Sequence, residues 1–131
     1  MADITPPVPQ RRQLIERYGD GGFRIAGVDY AGSVLVEAER THLWPVDTAA
    51  RITLESLAPL TAGFHGQSGG GGAVMLLGTG SEPVAPDREL RSRLRALGIG
   101  LEMMDTGAAC RTFNVLLAED RAVMAALIAV T

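Results

Sequence analysis

Chemistry-bearing side chains concentrate in one short stretch of this chain, Met103 to Leu117, which reads Met-Met-Asp-Thr-Gly-Ala-Ala-Cys-Arg-Thr-Phe-Asn-Val-Leu-Leu. A carboxylate, a hydroxyl and a glycine (Asp105, Thr106, Gly107) stand where an apolar run passes into a helical pattern. A thiol, a guanidinium and a carboxamide (Cys110, Arg111, Asn114) follow on that helix. Such turns at the carboxyl edge of a parallel sheet are where open α/β sheets hold ligands. A helix that opens there aims its unpaired N–H groups and the positive end of its dipole at the edge, which suits an anion or a carbonyl oxygen. Gly78-Thr79-Gly80 ends the preceding apolar run, Ala73 to Leu77. With that run and Gly100 to Met104 as parallel neighbours, the two turns lie side by side, and their small residues let a ligand reach the backbone. On the helix, Ala109, Thr112, Phe113, Leu116 and Leu117 fall on the core side, while Gly107, Arg111, Asn114 and Ala118 form a second stripe. Arg111 and Asn114 can then address one object: a small anionic ligand, a partner protein or another part of the same chain.

Plainer roles compete with these. Asp105 or Thr106 serves as an ordinary N-cap, Arg111 as a bridge to Asp20 or Glu102, Asn114 as a donor to loop carbonyls, and Cys110 as a small buried apolar group. A nucleophilic cysteine needs a histidine, and the chain has only His42 and His65, both in loops ahead of the site strands. One cysteine excludes an intrachain disulfide and a cysteine-based metal site, and two histidines form no recognisable metal set. Gly78-Thr79-Gly80 lacks the third glycine of a dinucleotide fingerprint, and Gly69-Gly70-Gly71-Gly72 is followed by no Gly-Lys-Ser/Thr, so no cofactor is called for. All 12 basic residues are arginine, which removes Schiff-base and phosphate-loop lysine chemistry. The net charge of −3 and 5% aromatic content argue against nucleic acid as the main partner.

The elements that must position these groups read as one domain. The chain has 131 residues, 47% of them hydrophobic, enough for a single core. Residues 1–12 read as a disordered Pro-rich leader and 13–131 as the domain. Gln13 to Tyr18 is an extended or short helical lead-in, and Gly19 to Gly22 a turn. Phe23–Val28 and Ser33–Ala38 alternate as the arms of a β-hairpin joined by Asp29-Tyr30-Ala31-Gly32. Thr41 to Val46 is a connector, and Thr53 to about Ala62 a short or kinked helix around Pro59. Gly63–Gly72 is a loop. A strand at Ala73–Leu77, a helix at Asp87–Leu97 with Leu90, Leu94 and Leu97 on one face, a strand at Gly100–Met104 and a helix from Thr106 to about Glu119 make a parallel, right-handed βαβ series. Arg121–Val130 is ambiguous, though a closing strand there gives the sheet edge a partner. The whole is a small α/β domain with a mixed sheet. No apolar run is long enough to span a bilayer, no targeting segment is recognisable, and the expected location is cytoplasmic.

Tyr18-Gly19-Asp20-Gly21-Gly22-Phe23-Arg24-Ile25, Thr53-Leu54-Glu55-Ser56-Leu57, Leu76-Leu77-Gly78-Thr79-Gly80 and Met104 through Leu116 together resemble the Mth938-like domain family. That family includes bacterial and archaeal single-domain proteins without an assigned activity, and the mitochondrial assembly factor of respiratory complex I known as assembly factor three. The resemblance implies a three-layer α/β fold around a central mixed sheet with a final strand near Arg121–Ile128. It implies no agreed catalytic residues. Two functions follow as expectations. One is a non-enzymatic accessory or assembly role through protein binding, with Trp44, Phe64, the Arg88–Arg91–Arg95 helix face and the Arg111–Asn114 stripe as contact surfaces. The other is a small-molecule or enzymatic site at Gly78-Thr79-Gly80 and Asp105-Thr106-Gly107, binding through Thr79, Thr106, Arg111 and Asn114. A homodimer is an option for so small a domain.

Overall fold

Apolar runs without alternation demand cover on both faces, and two such runs form the centre of the molecule. The computed structural model describes residues 12–62, 72–85 and 87–131. Within these, a five-stranded sheet contains β4 (Val34–Val36), β5 (Thr41–Leu43), β6 (Ala73–Gly78), β7 (Ile99–Met104) and β8 (Val123–Leu127), in the order β5-β4-β8-β6-β7. β6 runs parallel to both β7 and β8, and β4 runs antiparallel to β5 and β8. Successive residues of these strands point to opposite faces. Leu35, Met75, Leu77, Leu101, Met124 and Ala126 therefore enter one core, with Trp44, Leu57, Leu60, Leu90 and Leu94. Val34, Val36, Leu76, Val123, Ala125 and Leu127 enter the other, with Phe23, Ile25, Ala109, Phe113 and Leu117.

Helices α1 (Ala58–Thr61) and α2 (Arg88–Ala96) belong to the first core and α3 (Thr106–Ala118) to the second. The third layer also holds a three-stranded antiparallel sheet of β1 (Ile15–Gly19), β2 (Gly22–Ile25) and β3 (Val28–Ala31). These are the three layers and the mixed sheet of a Mth938-like α/β fold.

Several local expectations need correction. The hairpin lies one element earlier than the sequence pattern places it. Ile25 pairs with Val28 around Ala26 (φ 50°) and Gly27 (φ 82°), a two-residue turn with both residues left-handed, which matches strand twist. Ala26 is a poor signal for such a turn, so the sequence points instead to Asp29-Tyr30-Ala31-Gly32. Those residues are mostly strand, and Val34–Val36 leaves for the other sheet. The lead-in is β1, which meets β2 around Asp20 and Gly21, both at positive φ. Thr41–Leu43, read as a connector, is the edge strand β5. β8 closes no edge: it sits between β4 and β6.

Pro59 does not kink a helix. It stands in the first turn of α1, where its missing N–H is not needed, after a 3-10 turn at Glu55–Leu57. Thr53 and Ser56 secure that entry through reciprocal bonds, Ser56 N–H to Thr53 Oγ1 at 3.0 Å and Thr53 N–H to Ser56 Oγ at 3.1 Å. Leu97 is exposed at the end of α2, not inward with Leu90 and Leu94. The leader through residue 11 and loop residues 63–71, Phe64 and His65 included, lie outside the described residues.

Candidate functional site

The register of β6 on β7 runs from Ala73↔Ile99 to Gly78↔Met104, so both strands end on one edge and their turns meet. Thr79 N–H donates to the Met104 carbonyl at 2.9 Å, and Thr106 N–H to the Gly80 carbonyl at 2.8 Å. The Thr106 side chain, fully buried, accepts from Gly80 N–H at 2.9 Å and donates to the Ile128 carbonyl at 2.7 Å. One hydroxyl thereby joins the chain leaving β6, the chain leaving β8 and the start of α3. Gly78 has no room for a side chain, since a Cβ would lie 3.0 Å from Thr106 Cα and 3.1 Å from Leu127 Cδ2. Thr79 Oγ1 donates to the Glu82 carbonyl at 2.7 Å. Asp105 is an N-cap, its Oδ1 accepting from Ala108 N–H at 2.9 Å. The structure brings the two turns together, and the polar side chains of Thr79, Asp105 and Thr106 all bond within the chain.

Arg111 and Asn114 have separate tasks. Asn114 Oδ1 accepts from Ile15 N–H at 2.9 Å and its Nδ2 donates to the Ile15 carbonyl at 2.9 Å. This carboxamide pairs with β1 as a neighbouring strand would, where a register shift between Ile15 and Arg17 interrupts β1. Arg111 reaches the Tyr18 hydroxyl at 3.4 Å, and not Asp20 or Glu102. Tyr18 itself lies over Gly107, where a Cβ would come within 2.6 Å of its hydroxyl. Arg111, Val115 (56% exposed) and Ala118 follow at helical spacing on the solvent side of α3, with Leu14 and Tyr18 of the adjoining segment also exposed. Arg12 closes the far end, its guanidinium on the Leu117 carbonyl and the Asp120 carboxylate.

Cys110 is buried, and loss of solvent pushes its thiol from the ordinary 9.0 up to about 12, an increase that Arg111 opposes and Asp105 reinforces. His42 pairs elsewhere: its Nε2 lies 2.8 Å from Glu37 Oε2, just past the end of β4. Trp44 offers no exposed contact surface either, being buried with its indole N–H on the Ser56 carbonyl at 2.9 Å. Among the described residues no cluster of His, Cys, Asp and Glu fits a metal ion, and no helix is long and apolar enough to cross a membrane.

Sequence reasoning missed a hollow of about 550 Å³ over the three-stranded sheet, lined by Arg17, Tyr18, Gly22, Arg24, Asp29 and Tyr30 among others. Cross-strand pairing sets Arg17, Arg24 and Asp29 in one row of that sheet, and Arg24 binds Asp29 at 3.0 Å. The available signal was Asp20-Gly21, a strong hairpin dipeptide that marks β1 and β2 as partners.

The three layers around the mixed five-stranded sheet make this a Mth938-like α/β domain. The chain belongs to the family described as a protein of unknown function, DUF498/DUF598, which matches residues 15–128. A Mth938-like domain of Bordetella pertussis, solved in solution, superposes with a TM-score of 0.75 at 32% identity, covering 98% of this chain and 92% of that one. The crystal structure of an outer membrane protein from Bartonella henselae gives a TM-score of 0.80 at 38% identity, covering 92% and 97%. Assembly factor 3 of the NADH dehydrogenase [ubiquinone] 1 alpha subcomplex from Xenopus tropicalis is 35% identical over 115 residues, 88% of this chain. The match spans 60% of that relative's length.

Proposed function

We propose that this domain is a non-enzymatic accessory protein for assembly of a larger complex, with respiratory assembly as the setting that the assembly-factor relatives indicate. In this reading the α3–β1 seam is the face it presents to a protein partner. The carrying observation is how groups divide along the α3 segment. Asp105, Thr106 and Asn114 are used inside the fold, while Arg111, Val115, Tyr18 and Leu14 remain toward solvent. Arginine and tyrosine are enriched in binding hot spots, and the exposed Leu14 and Val115 side chains beside them add apolar contact area. The Gly78-Thr79-Gly80 and Asp105-Thr106-Gly107 turns act as the lock that holds α3 in place, and the protein works in the cytoplasm.

The test is affinity capture of tagged protein under gentle conditions from its native source, beside a deletion strain. The wild type is expected to retain a discrete partner, Val115→Asp and Arg111→Glu to lose it with unchanged thermal melting, and deletion to lower respiratory complex levels. A protein that comes down alone, with complex levels intact in the deletion strain, overturns the reading.

A further inference from the structure

The four arginines of α2 take no part in the seam, and although Arg93 and Arg95 suit the last turn of the helix, its dipole gives no reason for Arg88 or Arg91. α2 holds Arg88, Arg91, Arg93 and Arg95 against a single acidic residue, Glu89, while the rest of the chain carries eight arginines against fourteen acidic residues. Positive charge is thus gathered on one nine-residue helix of an otherwise acidic molecule. Arg88, Arg91 and Arg95 recur at intervals of three and four, along a flank of the helix turned away from the buried Leu90 and Leu94. At 1.5 Å of rise per residue the stripe is about 10 Å long. Arg88 and Arg95 are exposed, Arg91 is half-buried, and none of the three forms an ion pair among the described residues. Of the three, only Arg95, in the last turn, is favoured by the helix dipole. Arg88 sits at the positive end of the dipole, beside the Asp87 cap, and like charges at these spacings repel. Arg93 stands off the stripe, lining a hollow of about 180 Å³ with Glu55, Asp87 and Glu89.

We infer that the Arg88–Arg91–Arg95 face of α2 is a second docking surface, and that it takes a short acidic segment of a partner protein. The inference rests on the accessory-protein reading above. Guanidinium forks match carboxylates in bidentate geometry. Three carboxylates spaced over about two helical turns reproduce the length of the stripe. Compactness favours such a segment over an extended polyanion, because a nucleic acid or an anionic bilayer also meets the acidic remainder of the surface.

The experiment uses the full chain and a fluorescent helical peptide with glutamates at positions i, i+3 and i+7, a glutamine version of that peptide, a 20-base-pair DNA duplex, and phosphatidylglycerol-containing vesicles. Anisotropy and vesicle co-sedimentation at low and physiological salt are the readouts. The acidic peptide is expected to bind in preference to the other three and to weaken as salt screens the contact. Arg88→Gln/Arg91→Gln/Arg95→Gln, which keeps good helix formers, is expected to bind it about tenfold more weakly. Arg40→Gln/Arg51→Gln/Arg121→Gln, the same charge change elsewhere, is expected to leave binding unchanged. No peptide binding by the wild type, equal loss in both triple variants, or tighter binding of duplex or vesicles overturns the inference. An α2 variant that captures every partner the wild type captures, while Val115→Asp does not, overturns this inference alone. Absence of any captured partner overturns the accessory-protein reading, while the peptide titration still decides whether the α2 face has the acidic specificity assigned to it.

Discussion

Removing the Asn114 carboxamide tests whether one side chain holds the small sheet to α3. Its two 2.9 Å bonds reach the N–H and carbonyl of the same residue, Ile15, whose side chain is buried in the second core. Asn114→Ala deletes both bonds and leaves two partly buried backbone groups without partners. At about 1 kcal/mol net for each bond, with a further penalty for groups left unpaired, the expected loss is about 2–3 kcal/mol. For a domain of this size that corresponds to a melting temperature lower by roughly 10 °C. Urea denaturation at pH 7 followed by circular dichroism measures it, with calorimetry as a check on two-state behaviour.

Asn114→Asp sharpens the test. It keeps the acceptor for Ile15 N–H but sets a second carboxylate oxygen against the Ile15 carbonyl. That contact disfavours the charged form and raises the folded-state pKa of the new carboxyl above its unfolded value of about 3.9. The Asp penalty is therefore complete above the folded pKa. It shrinks as pH falls through that value toward the unfolded one, because the protonated carboxyl can donate where Nδ2 did. An alanine variant within about 0.5 kcal/mol of wild type, the range of neutral surface changes, refutes the strand-mimic role. So does an aspartate variant whose deficit is independent of pH.

Other consequences are equally direct. Thr106→Val keeps the shape but strands the Gly80 N–H and the Ile128 carbonyl, and is expected to cost about 2–4 kcal/mol in urea titration, whereas Thr106→Ser retains most of the stability. Cys110 is expected to resist iodoacetamide in the native state at pH 8 and to react once unfolded, as mass spectrometry can follow. Its thiol titrates near 9.0 unfolded and about 12 folded, so it destabilises the fold progressively between those values, and Cys110→Ala removes that alkaline slope. Ala26→Gly relieves a left-handed alanine and is expected to raise stability by about 0.5–1 kcal/mol, read as a higher urea midpoint at constant slope.

Legibility in the sequence followed the period of each element. α2 and α3 were readable because their apolar positions recur helically and their starts carry Asp87 and Asp105, both of which cap in the structure. β6 and β7 were readable as a parallel pair because strands and helices alternate there, and that placed Gly78-Thr79-Gly80 beside Asp105-Thr106-Gly107. The N-terminal half resisted because its two turns are so short. Asp20-Gly21 offered a strong hairpin signal that a broader glycine-rich turn obscured, and Ala26-Gly27 offered half of one. Shifting the hairpin by one element then misassigned Val34–Val36, although its run of three buried residues belongs to a strand covered on both faces. β8 was ambiguous for a related reason. A strand buried throughout shows no alternation, and Met124, Ala125 and Ala126 carry little β preference of their own, so only the pairing with β4 and β6 on either side makes it a strand.

The polar residues of the candidate site show why type and spacing located a place before a role. From sequence, a hydroxyl, a carboxylate and an amide at a strand-to-helix turn are equally ready for a ligand or for the backbone. The structure separates these by geometry. Thr106 faces two backbone groups at 2.7 and 2.9 Å, Asp105 faces its own helix, and Asn114 faces β1. Each satisfies a buried or partly buried group that would otherwise lack a partner, and among the described residues no buried side-chain nitrogen or oxygen lacks one. Such a site is preorganised for its own chain, and opening it to a ligand would forfeit several bonds before any new one formed. Guanidiniums are the groups left facing outward, Arg111 on α3 and the Arg88–Arg91–Arg95 row on α2. They flank opposite faces of the central sheet, so a partner engaged through both must wrap around the domain, or two partners must meet across it. Capture by Val115→Asp, by the α2 triple substitution and by their combination separates these. Two independent partners are each lost through one variant and kept by the other, whereas a single wrapping partner is weakened by both, with effects that add in free energy because the two faces are far apart.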